Sequence, residues 1–174
     1  MTGSAVVAVL AIVGYLLLAS PSVHVVSVPD KLGGYVKDPA LANATHAQQL
    51  RNGIVAGAAG EVRNVVGAVY EKSTGPGTST GPQIIVFIGG NLTGGGSAGG
   101  FISGFTAQLH RSFTTGVGVL GGQAACAPGS NGGPAECAWA DGDTFGVIIS
   151  PTLSAAGLAS EMRQMRPLVE HAAK

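Results

Sequence analysis

Gly95-Gly96-Ser97-Ala98-Gly99 fits G-x-S-x-G, the pattern that exposes a nucleophilic serine on a sharp strand-to-helix turn. Asp141 or Asp143 and then His171 follow, in the Ser, Asp, His order of α/β-hydrolases. That chemistry needs Ser97 to attack, His171 to take its proton and an Asp to orient the imidazole. The surroundings argue against it. The apolar run ending at Ile88 is separated from Ser97 by Gly-rich sequence, whereas an elbow turns straight out of its strand. The chain also has too few alternating βα units for the parallel sheet that presents such an elbow. A serine hydrolase using Ser97, Asp141 and His171 stands as the alternative, and no catalytic residue is the main expectation.

Other chemistries fail on spacing. Gly94-x-Gly96-x-x-Gly99 matches the dinucleotide fingerprint, but that site needs an acidic residue about 20 positions on, for the ribose. No Asp or Glu occurs between Glu71 and Glu136, and no Gly-Lys-Ser/Thr triplet marks a P-loop. His24, His46, His110 and His171 are scattered, with no H-x-x-x-H pair. Asp141 and Asp143 flank Gly142 as a tight turn does, and a calcium loop needs many more oxygen ligands. No cofactor, metal or nucleotide is expected.

Cys126 and Cys137 bracket a Gly- and Pro-rich segment. A disulfide there closes a loop of about a dozen residues and adds about 3 kcal/mol. The competing reading is two reduced core cysteines. Two Cys without a neighbouring His do not complete a zinc site. A bonded pair requires an oxidising space.

These features sit in a chain of 174 residues with nine basic and nine acidic side chains, 45% hydrophobic residues and 29 glycines. The apolar fraction excludes disorder, and the glycines lack the collagen period. Zero net charge without a basic patch excludes nucleic acid as a partner. All charged residues lie beyond Pro29, and residues 5–19 carry no strongly polar side chain. Residues 4–20 approach a bilayer span and are expected to partner the lipid bilayer. The domain organisation that follows is a transmembrane signal-anchor helix over 1–22, a linker and edge strand over 23–37, and an extracytoplasmic domain over 38–174. A signal peptide cleaved near Val25-Val26-Ser27 competes with the anchor. Lys31 and Lys37 behind the apolar run count against export. The cysteine pair counts for it, and the domain is placed outside, as a single-pass protein of the cell membrane.

The positioning elements follow from periodicity. Asp38-Pro39 starts a helix running over residues 40–59, with Ala47, Leu50, Ile54 and Ala58 on one face. Residues 61–72 and 83–88 read as strands, with flexible loops over 73–82 and 89–100. Phe101, Ile102, Phe105 and Leu109 mark a short helix, and residues 115–120 a strand. Residues 136–140 and 144–150 form a hairpin around Asp141-Gly142-Asp143. Ser154 caps the last helix, with Leu158, Met162, Met165 and Val169 inward and Glu161, Arg163, Arg166 and Glu170 on the wet side. The expected fold is α+β: an antiparallel sheet of about five or six strands with three helices on one face, behind an N-terminal transmembrane helix.

Cys137-Ala138-Trp139-Ala140-Asp141, Gly146-Val147-Ile148-Ile149-Ser150 and Met162-Arg163-Gln164-Met165-Arg166 resemble a group of uncharacterised actinobacterial proteins, either membrane-anchored or exported as lipoproteins. Leu32-Gly33-Gly34-Tyr35 is similar too. The likeness is clear over about the last fifty residues. It implies an anchor, an external α+β domain and a cysteine pair, and brings no activity or site residues. The chain departs from the lipoprotein form in having no Cys near residue 20. The function expected is a non-catalytic envelope domain with a structural or protein-interaction role. A small-ligand carrier, with its cavity between sheet and helices, is a further alternative.

Overall fold

The computed structural model describes residues 23–58, 60–73, 81–94 and 96–173. The transmembrane helix expected over 1–22 lies outside them. No helix among the described residues is long and apolar enough to cross a membrane, so the described fold is α+β without the leading membrane helix expected.

The strands are β1 (His24–Val26), β2 (Lys31–Leu32), β3 (Tyr35–Lys37), β4 (Val62–Lys72), β5 (Gln83–Leu92), β6 (Phe113–Thr114), β7 (Gln123–Ala127), β8 (Ala135–Ala140), β9 (Thr144–Ser150) and β10 (Glu170–Ala172). The helices are α1 (Pro39–Ala44), α2 (Ala47–Gly57), α3 (Ala98–Ala107) and α4 (Ala155–Val169). Eight strands form one antiparallel sheet in the order β2-β3-β4-β5-β9-β8-β7-β6, and β1 pairs with β10 in a separate ribbon. The sheet exceeds the expected five or six strands because short ones add at its edges. Gly33, at φ 63°, turns β2 into β3, and β6 falls at Phe113–Thr114 instead of over residues 115–120.

Helices cover both faces of the sheet, not one. Both faces of its central strands are apolar, and each needs cover. On β8, Cys137 and Trp139 point to one face and Ala138 and Ala140 to the other; on β9, Ile148 opposes Phe145 and Val147. The first face is sealed by α4, which buries Leu158, Met162, Met165 and Val169 as its stripe predicts. At about 2 kcal/mol for each such side chain, that contact is well anchored. The second face carries α1, α2 and α3. Here α2 buries only Ala47 and α3 only Ile102, so this layer is held far more lightly.

Local corrections have local causes. Asp38 caps α1 as expected, accepting from the N–H groups of Ala40 and Leu41. The single helix expected over 40–59 breaks at Thr45 and His46, where His46 takes a left-handed φ of 53° and starts α2. The loop expected over 89–100 shrinks, because β5 continues to Leu92. Gly89 lets β1 cross there: a Cβ on it would lie 3.0 Å from Val26 Cγ1.

Candidate functional site

The light packing of α2 and α3 leaves a groove between them with a volume of about 810 Å³. That size suits a small molecule. Its floor is the sheet itself, with Val147 and Ile149 from β9 beside Glu136 from β8, which pairs in register with Ile149. Phe101 of α3 packs on Phe145 with ring centroids 4.7 Å apart. Gly53 and Gly57 of α2 and Gly100 and Gly104 of α3, each pair one turn apart, flatten the walls. A Cβ added at Gly53, Gly57 or Gly104 would meet nothing within 4 Å. These glycines therefore line open space and do not admit another backbone. His46, Gln49 and Gln108 supply polar groups to the lining.

Glu136 is the chemical anomaly of this groove. Its even position on β8 sends it to the same face as Ala138 and Ala140, among apolar neighbours. It is half-buried and has no hydrogen-bond or ion-pair partner among the described residues. Burial pushes its carboxyl above the ordinary Glu range. Among the described residues no Lys or Arg lines the groove, and its other carboxylate is Glu61. Arg51 of α2 turns away, its Nε donating to the Val65 carbonyl at 2.8 Å.

The hydrolase candidates are not assembled into a triad. Ser97 is exposed and caps α3, its Oγ accepting from the Gly100 N–H at 3.0 Å. The strand before it, β5, has antiparallel neighbours on both sides, so no parallel sheet presents an elbow. Asp141 Oδ1 accepts from the N–H groups of Asp143 and Thr144, forming the β8–β9 turn, while its Oδ2 accepts from Arg166 at 2.6 Å. His171 is exposed on β10, in register with Val25. Asp143 accepts from the His24 N–H at 2.6 Å. Among the described residues, no three or more His, Cys, Asp and Glu side chains cluster as a metal site.

Cys126 and Cys137 form a disulfide between directly opposed positions of β7 and β8, buried beneath α4. Beside it Trp139 stacks on Phe87 at 5.9 Å and lies across Gly146.

Arg166 and Glu170, expected on the wet side, are both buried. The Arg166 guanidinium donates to Glu170 at 2.8 Å, to Asp141, and to the carbonyls of Val117 and Gly121. Trp139 Nε1 also donates to Glu170, at 3.3 Å. Burial alone would raise Asp141, but the interaction with Glu170 and the N–H groups of Asp143 and Thr144 outweigh it and hold the carboxyl down at about 2. Glu170 moves up, driven first by burial and opposed by its hydrogen bond from Arg166. This cluster ties α4, the 117–121 loop and the β8–β9 turn together, and faces away from the groove. Comparison with known protein families, curated proteins and solved structures finds no match for this chain.

Proposed function

We propose that the chain is an exported, non-catalytic binding domain of the cell envelope whose α2–α3 groove holds an apolar small molecule. The observation that carries this reading is the groove: roomy, floored by Val147 and Ile149, walled by glycine and lined by a carboxylate with no partner. Ligand sites are concave, mostly apolar and fitted with few polar groups. The disulfide supports an oxidising compartment. The resemblance of the 137–166 segment to exported actinobacterial proteins agrees with it. The apolar run at 4–20 is the proposed tie to the bilayer, and an envelope protein that delivers or receives the ligand is the proposed partner.

The test uses a neutral fluorescent probe, N-phenyl-1-naphthylamine, titrated against the full chain and against Gly53→Leu/Gly104→Leu. Both leucines enter open space, and replacing helical glycine favours the helix. The expected result is saturable fluorescence on the wild type that the double variant loses while melting no lower. Equal binding by both chains places the probe elsewhere and removes the groove as the site. Alkylation of intact cells with and without reductant checks the compartment: Cys126 and Cys137 should react only after reduction by an agent that cannot cross the membrane.

A further inference from the structure

The groove is apolar, yet its charged chemistry has one sign. Among the described residues, Glu136 stands on the floor without a partner, Glu61 lies in the same lining, and no Lys or Arg does. An anionic ligand such as a fatty acid would set its carboxylate against Glu136 with no Lys or Arg among the described lining residues to receive it. A purely hydrocarbon ligand would leave Glu136 desolvated and unpaired, which is costly. A ligand with a cationic end removes that cost by forming a charge-assisted hydrogen bond. From this complementarity we infer that the groove takes an elongated apolar molecule carrying one ammonium group, which pairs with Glu136 while its hydrocarbon part lies on Val147 and Ile149 between the glycine walls. The inference rests on the groove being a ligand site and adds the class of ligand.

Glu136→Gln keeps the shape of the side chain and removes its charge, so its failure to fold is not expected. Glu136→Lys inverts the charge. The probes are n-decylamine, n-decanol and decanoate, each displacing N-phenyl-1-naphthylamine from the full chain. Gly53→Leu/Gly104→Leu serves as the reference that cancels partition into any lipid carried by the protein. On the wild type, decylamine should displace the dye about tenfold more strongly than decanol, the factor a hydrogen bond to a charged group supplies. Decanoate should be the weakest. In Glu136→Gln the amine preference should disappear while decanol keeps its strength, and Glu136→Lys should favour decanoate. Amine and alcohol equal on the wild type, or a preference that survives Glu136→Gln, overturns this inference and leaves the groove as a neutral site. Dye that never binds overturns both the site and its proposed ligand.

Discussion

Arg166→Met tests the buried charge cluster most directly. The substitution keeps a long, unbranched side chain on α4 and deletes the guanidinium. Arg166 is fully buried, and its loss leaves Asp141 and Glu170 close together without their cation and frees the carbonyls of Val117 and Gly121. Breaking a buried pair in this way costs about 3–5 kcal/mol. Domains of this size have about 5–15 kcal/mol in total, so the loss is about a fifth of it or more. Urea unfolding at pH 7 reads the effect through Trp139, the only tryptophan, whose indole contacts the same cluster. Arg166→Met/Asp141→Asn/Glu170→Gln removes all three charges, keeps the Oδ1 acceptor of the turn, and should recover most of the loss. The wild-type advantage should also fade in acid. The Asp141 pKa is lowered from 3.8 to about 2, so its contribution is present above about pH 4 and lost as pH falls towards 2. A single variant within about 1 kcal/mol of wild type, or a triple variant no better than the single, would refute the account of Arg166 as the clasp.

Three further outcomes follow from particular contacts. In Gly146→Ala, the new Cβ would sit 2.2 Å from the Trp139 ring, so the indole must leave its stack on Phe87; a loss of about 3 kcal/mol and a red-shifted Trp emission are expected. Reducing the disulfide, or Cys126→Ser/Cys137→Ser, should cost about 3 kcal/mol in calorimetry or urea melts, and unchanged stability would count against the staple. Glu136→Gln should raise the melting temperature at pH 7 and leave it unchanged at pH 4 or below. Burial raises the folded-state pKa of Glu136 above 4.5, so ionisation disfavours the fold only as pH climbs past that value; a stabilisation that persists in acid would contradict this sign.

Much of the fold is legible in local pattern. The strands β4, β5, β8 and β9, the Asp-Gly turn between the last two, the core stripe of α4 and the cysteine pair all follow from side-chain type and spacing. The two-sided cover is legible in principle, because apolar residues at consecutive positions of β5, β8 and β9 leave no wet face. Alternation alone points to one covered face and hides this. The burial of Arg166 is illegible locally: it stands beside the apolar stripe at Met162 and Met165, and only Glu170 among its acceptors is a helix neighbour, the others coming from residues 117–121 and 141. The groove has a faint signal in two Gly pairs spaced by four within helices, a pattern that equally suits close helix contact. The unpaired state of Glu136 needs three dimensions, since only the positions of α2 and α3 decide what lies above it.

The order of the large sheet carries a consequence for how the polypeptide reaches this state. Strands β2 to β5 run in sequence, strands β9 back to β6 do the same, and the two meanders meet along β5 and β9, where Val86 faces Ile149. Pairing within each half is mostly between chain neighbours, whereas that seam joins segments far apart and carries the larger loop-closure cost. Docking of the two halves is therefore the expected slow step of folding. Amides of β5 and β9 should gain hydrogen-exchange protection after those of the β8–β9 and β2–β3 turns, and simultaneous protection everywhere would contradict this sequence of events.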